Sequence, residues 1–260
     1  MILKEKVYFT PAQSERGLHI YLPDDYQTSG KRYPVMYYFD GHNLFYDSDA
    51  TYGKSWGLKV FLDHYSKEFI VVGLECSHVG NERLVEYCPY HYQGKFWGDL
   101  HGRGMETLDW MVNTLKPMID ARFPTYVHRE ATGICGSSMG GLMALYGVIV
   151  HNDVFSKAGC LSSAIGPGIK NLCADIESHA IDANTRVYLS IGEKEASSLP
   201  VKNIYATVMA RSAKKVTKLL ETKGVNTAIY IQKDGRHCEA DWEKQNKLYF
   251  DYLWCNQKSF

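Results

Sequence analysis

Apolar positions along the chain follow two alternating rhythms. Short runs of β-branched, aromatic and aliphatic residues occur at Lys6 to Phe9, Leu18 to Leu22, Val35 to Phe39, Phe69 to Leu74, Ala131 to Cys135, Val187 to Ile191 and Ala228 to Gln232. Each has the length and residue types of a buried strand. Longer segments with helical spacing lie between them. From Met105 to Ile119, apolar side chains recur at Met105, Leu108, Met111, Val112, Leu115 and Ile119, which places them on one helix face. Gly140 to Val150 predicts a mostly apolar, buried helix, Asn203 to Thr222 a helix stopped by Gly224, and Trp242 to Trp254 a last one. Strands alternating with helices predict an α/β fold, a mostly parallel central sheet with helices on both faces. An antiparallel N-terminal hairpin opens it, because too few residues separate the first two runs for a helical crossover.

The stretch Cys76 to Gly104 has neither rhythm and is rich in Tyr, His, Gly and Trp. A loop of that length inside a compact domain is either functional or conceals an element. No internal repeat, low-complexity tract or linker interrupts the chain, so residues 1–260 are expected to form one domain.

Composition narrows the class of function. Apolar residues make up 45% and charged residues 22%, the balance of a water-soluble globular protein. With 29 basic and 29 acidic side chains the formal net charge is +0, so neither nucleic acid nor an anionic membrane surface is an expected partner. Charged residues at Lys4, Glu5 and Lys6 stand where a secretory signal needs an apolar run, and no stretch approaches the ~20 apolar residues of a membrane span. A cytoplasmic location is expected. Seven cysteines form an odd set without zinc-ligand spacing and read as reduced packing residues, with Cys238 as the one exposed thiol beside a candidate catalytic residue.

Candidate chemistry begins after the run Ala131 to Cys135. Gly136-Ser137-Ser138-Met139-Gly140-Gly141 is G-x-S-x-G between a predicted strand and a predicted helix. A nucleophilic serine on so sharp a turn needs small residues two before and two after it. Ser138 is therefore the candidate nucleophile. A serine hydroxyl needs a base, and the base an orienting acid. In the fold that carries this elbow the order is Ser, then Asp or Glu, then His. Of the later histidines, His151 lies in the next loop and His179 precedes the acid-bearing strand. His237, just after the last strand, has the position of the base. Gly192-Glu193-Lys194-Glu195 follows the strand Val187 to Ile191 and offers two carboxylates.

Val35 to Phe39 runs into Asp40-Gly41-His42-Asn43-Leu44-Phe45. This segment resembles the D-G-x-N-x-F loop of the esterase family of α/β-hydrolases that includes enterochelin-type esterases, esterase D-like enzymes, feruloyl and acetyl xylan esterases, and mycolyltransferases. Further likeness lies at Leu22-Pro23-Asp24-Asp25-Tyr26, Trp56, Glu86-Tyr87-Cys88-Pro89, the elbow with Leu142, Ala144 and Leu145 behind it, and the strand region Phe155 to Ser163. The resemblance covers nearly the whole chain. It implies an α/β-hydrolase fold and a serine carboxylic-ester hydrolase acting through an acyl-enzyme. It also implies Glu195, three residues after the glycine, as the acid, although the family more often has aspartate there. The backbone N–H groups of His42 and Met139 are implied as the oxyanion hole, with no role required of the His42 side chain.

No metal or organic cofactor is expected, and the expected partner is a small-molecule ester. The acyl and alcohol groups, and any homo-oligomer, are left open. Asn43, Trp56 and Tyr87 are the expected substrate-binding positions. With Phe45, Tyr90, Tyr92, Phe96 and Trp97, the two aromatic positions would wall a pocket for an aryl or sugar-linked ester. A thioesterase, an acyltransferase and a non-catalytic binding domain on the same fold are the rival readings.

Overall fold

Alternate residues of the strand Val35–Phe39 belong to different cores. Val35, Tyr37 and Phe39 pack into one apolar cluster, and Met36 and Tyr38 into another. Both faces of this strand are therefore covered, as expected for a parallel sheet between helical layers. The computed structural model describes residues 1–94, 98–196 and 207–255. Ten strands lie among them: β1 Ile2–Phe9, β2 Ser14–Tyr21, β3 Val35–Phe39, β4 Ile70–Leu74, β5 His91–Gly94, β6 Gly98–His101, β7 Thr132–Ser137, β8 Lys157–Leu161, β9 Arg186–Gly192 and β10 Asn226–Gln232. Eight form one sheet in the order β1-β2-β4-β3-β7-β8-β9-β10, and β5 pairs with β6 in a separate hairpin.

Pairing in the large sheet is parallel from β4 through β3, β7, β8 and β9 to β10. β1 and β2 form the expected antiparallel opening hairpin, and β2 joins β4 antiparallel. Parallel strands end on the same edge of a sheet. The loops that follow β3, β4, β7, β8, β9 and β10 therefore emerge together, at the edge where open α/β sheets bind their ligands. No helix among the described residues is long and apolar enough to cross a membrane.

Several elements depart from the sequence reading. β8 lies in the strand region Phe155 to Ser163 marked by the family resemblance, but it is missing from the apolar runs because Lys157-Ala158-Gly159-Cys160 lacks both alternation and β-branched residues. All five of its residues are nevertheless buried, with the Lys157 ammonium donating to Glu130 O at 2.6 Å. Cys76 to Gly104 contains a short helix, Glu82–Glu86, and the β5–β6 hairpin. The hairpin is largely exposed and polar, so it left no apolar signal. The helix expected at Met105 to Ile119 runs over Gly104–Trp110 and Lys116–Arg122 with a wide turn between. That expected at Asn203 to Thr222 is Val208–Thr222, residues 203–206 lying outside the described residues. The last helix begins earlier, at Glu239, and is broken near Gln245. There the buried Gln245 side chain donates to Gln232 and accepts from the Tyr188 hydroxyl. Helices at Leu58–His64 and Ile169–Ser178 had no counterpart in the predicted elements.

Candidate active site

Ser138 stands between β7 and the helix Met139–Val150 with φ 56° and ψ −119°. A non-glycine residue in this region is strained by about 1–3 kcal/mol and persists only where its surroundings hold it. Here the Ser138 N–H donates to Leu161 O at 3.0 Å, and its carbonyl accepts from the N–H groups of Leu142 at 3.1 Å and Ala164 at 2.9 Å. The flanking glycines are a steric requirement. A Cβ on Gly136 would lie 2.6 Å from the Gly140 carbonyl carbon, and one on Gly140 would lie 2.9 Å from Phe39 Cβ.

The loops after β9 and β10 meet beside this turn. A Cβ on Gly192 would stand 2.4 Å from Gly235 O, so the two loops touch backbone to backbone there. The contact brings Glu195 Oε2 to 3.0 Å from His237 Nδ1. The other carboxylate oxygen, Oε1, accepts from the Gly192 N–H at 2.7 Å and from the Ser162 hydroxyl at 2.6 Å. Ser162 Oγ in turn accepts from the Trp242 indole N–H at 2.9 Å, and the His237 ring stands edge-on to Trp242 with centroids 5.2 Å apart. Glu195 is 4% exposed whereas His237 is 42% exposed, so the acid is held from behind and the imidazole opens to the cleft. Glu193 points outward and accepts the Asp234 N–H at 3.2 Å. Of the two carboxylates in this loop, Glu195 is the one that meets the histidine.

On the opposite side is the loop after β3. Gly41 packs so closely on β4 that a Cβ there would lie 2.3 Å from Gly73 O. Asp40, at φ 58°, accepts two hydrogen bonds from the Arg83 guanidinium, both at 2.7 Å. Burial opposes the Asp40 charge, but the Arg83 pairing prevails and holds its carboxyl below the usual carboxylate range. His42 is the second residue of a single 3₁₀ turn, Gly41–Asn43, and Met139 is the first residue of its helix. Neither N–H therefore has an intrahelical carbonyl to bond.

Ser138, His237, His42 and Asn43 all line one cleft of about 450 Å³. Asn43 accepts the Thr51 N–H at 3.0 Å and donates to Glu239 at 3.5 Å. Burial raises the Glu239 carboxyl above its usual range. Two expected substrate contacts are corrected. Trp56, 3% exposed, is a core residue packed on Tyr38 and Trp242. Tyr87, 1% exposed, lies beneath the loop, where its hydroxyl accepts the Asp40 N–H at 3.1 Å. Phe45 is likewise core, and Tyr90 and Tyr92 border a separate small cavity. Phe96 and Trp97 lie outside the described residues. Among the described residues the cleft wall combines polar side chains, Thr51, His78, Arg83 and Glu239 among them, with Tyr52 and Trp242. Ser162, Arg83 and Glu239 were not singled out from sequence, since each matters through a contact more than thirty residues distant along the chain.

Fold and cleft together define an ester hydrolase of the α/β-hydrolase type. The model of the family described as "Putative esterase" matches residues 11–246, and the chain belongs to that family of carboxylic ester hydrolases. It is similar to the protein YbbA of Bacillus subtilis, with 25% identity over 94% of either chain. It is 31% identical over 151 residues to the Mycobacterium tuberculosis protein named Esterase Rv1288, covering 58% of this chain and 29% of that one. Among solved structures, an IroE-like serine hydrolase from Shewanella oneidensis superposes with a TM-score of 0.74 at 18% identity, over 97% of this chain and 79% of the other. The enterochelin esterase of Shigella flexneri gives 0.73 at 16%, over 98% and 58%.

Proposed function

We propose that the protein hydrolyses carboxylic esters through an acyl-enzyme on Ser138, with His237 as base and Glu195 as the acid that orients it. The observation that carries this reading is the hydrogen bond between His237 Nδ1 and the buried Glu195, made beside a strained serine in the same cleft. His237 Nε2 takes the serine proton as Oγ attacks the carbonyl, and the N–H groups of His42 and Met139 receive the oxyanion. The imidazolium then protonates the departing alcohol, and water repeats the attack to release the acid. Glu195 stabilises the imidazolium in both steps. The polar side chains Thr51, His78, Arg83 and Glu239 in the cleft wall favour a small ester whose acyl or alcohol part carries hydroxyl groups, such as a sugar-linked, feruloyl or catecholate siderophore ester, over a long aliphatic chain.

A fluorophosphonate probe should label Ser138 in the folded protein. Ser138→Ala should lower hydrolysis of a short p-nitrophenyl ester by at least a thousandfold with an unchanged circular dichroism spectrum, while Ser137→Ala keeps most activity. Labelling elsewhere, or equal loss in both variants, removes the assignment. Comparing kcat/KM over acetyl-sugar, feruloyl, siderophore and long-chain p-nitrophenyl esters tests the substrate class.

A further inference from the structure

The loop after β4 brings Cys76 and His78 against His42. One ring nitrogen of each histidine and the Cys76 sulfur all lie within 4.8 Å of one another. His42 is 5% exposed, and its Nε2 is engaged by Thr51 Oγ1 at 2.9 Å. Its Nδ1 is buried with no hydrogen-bond partner. A buried ring nitrogen without a partner is destabilising, and it is free to bind something. Cys76 is buried at 3% exposure, whereas the His78 side chain is 56% exposed and able to swing. Glu75 and Asp40 add negative charge beside the cluster, Glu75 Oε2 lying 3.7 Å from His78 Nε2. His42, Cys76 and His78 also border a second cavity of about 810 Å³, which gives a small ion another approach.

Two imidazoles and a thiol suit a divalent cation of borderline softness. We propose that His42, Cys76 and His78 bind such an ion, with Zn²⁺ as its representative, and that its binding inhibits the hydrolase. The sulfur coordinates as thiolate, its proton passing to solvent. Thr51 holding His42 Nε2 leaves Nδ1 as the coordinating nitrogen, the kind of outer contact that orients metal-bound imidazoles. Inhibition follows from geometry and rests on the proposed function. Tetrahedral zinc with bonds of about 2.0–2.3 Å keeps its ligand atoms roughly 3.5 Å apart, so the exposed His78 swings in to complete the set, and the ion then ties the His42 loop to the loop after β4. His42 carries a proposed oxyanion amide, and a shift near ~1 Å at such a site lowers rates by about 10².

Binding of Zn²⁺ to the full chain is measured by calorimetry without substrate, in a His101→Ala background that removes the exposed His91, Asp99 and His101 group. One equivalent should bind, at least tenfold more weakly after His78→Ala or Cys76→Ser. Co²⁺ should give a thiolate charge-transfer band that Cys76→Ser abolishes. The Zn²⁺ concentration that halves ester hydrolysis should rise in each variant with its dissociation constant. No binding, equal affinity in the variants or no charge-transfer band overturns the site. Binding without inhibition overturns the regulatory role. Binding with the expected variant pattern in a protein that cleaves no ester upholds the site and removes the proposed function instead.

Discussion

The two sides of the cleft are built on different principles. On the acid side, Glu195 is engaged at both oxygens, by His237 on one and by Gly192 and Ser162 on the other, and Ser162 is itself held by Trp242. On the other side, what the loop after β3 is proposed to offer is a backbone amide, and its anchors are a glycine pressed on β4 and the Asp40–Arg83 pair beneath it. The His42 side chain there keeps a buried nitrogen without a partner. Where a side chain's orientation carries the function, hydrogen bonds must fix that side chain. Where an amide carries it, backbone packing places the group, and no hydrogen bond need fix the side chain of the same residue.

This contrast predicts how each side fails. The largest effect is expected on the acid side. Glu195→Gln should reduce kcat by up to ~10⁴ with KM little changed, because the amide lacks the charge that stabilises imidazolium, while Glu193→Gln stays within about twofold. Steady-state kinetics of the pair decides it, and a larger deficit in Glu193→Gln reverses the assignment. On the other side the damaging change should be one of backbone. Gly41→Ala must push the loop off β4, and kcat should fall by about 10²–10³, the loss typical of one oxyanion donor. Near-normal kcat there would mean that the His42 amide does not serve. Ser162→Ala removes one bond to Glu195, a contribution of about 0.5–1.5 kcal/mol, and should lower kcat roughly 2- to 12-fold. Loss of stability with kcat intact would limit Ser162 to a structural role.

The smallest effect expected is on stability. Burial raises the Glu239 carboxyl, so the folded state holds that proton to a higher pH than the unfolded chain does. Its ionisation therefore withdraws stability as pH climbs from about 4.3, the ordinary glutamate value, through the raised one. Glu239→Gln should match wild type in thermal midpoint below about pH 4 and exceed it by a few degrees at neutral pH. A difference that does not vary with pH would show that the fold leaves the Glu239 carboxyl unshifted, and a variant less stable than wild type at neutral pH would show a carboxylate held by a partner.

Much of this was legible in the sequence because it depends on local chemistry. Apolar runs marked seven of the eight strands in the large sheet, and the small residues around Ser138 marked a turn whose steric need the close approaches of Gly136 and Gly140 explain. Gly192-Glu193-Lys194-Glu195 showed that an acid followed that strand, but composition could not tell which carboxylate turns inward. The tertiary structure separates them: Gly192 touching Gly235 sets the reach, and Ser162 draws Glu195 in while Asp234 holds Glu193 outside. Trp56 and Tyr87 were misread for the converse reason. Aromatic residues near a functional loop look alike in sequence whether they face a ligand or the core, and only the packing of helices on both faces of the sheet buries these two. The meeting of His42 with Cys76 and His78 is likewise a product of topology, since β3 and β4 lie side by side in parallel and so deliver their following loops to one place.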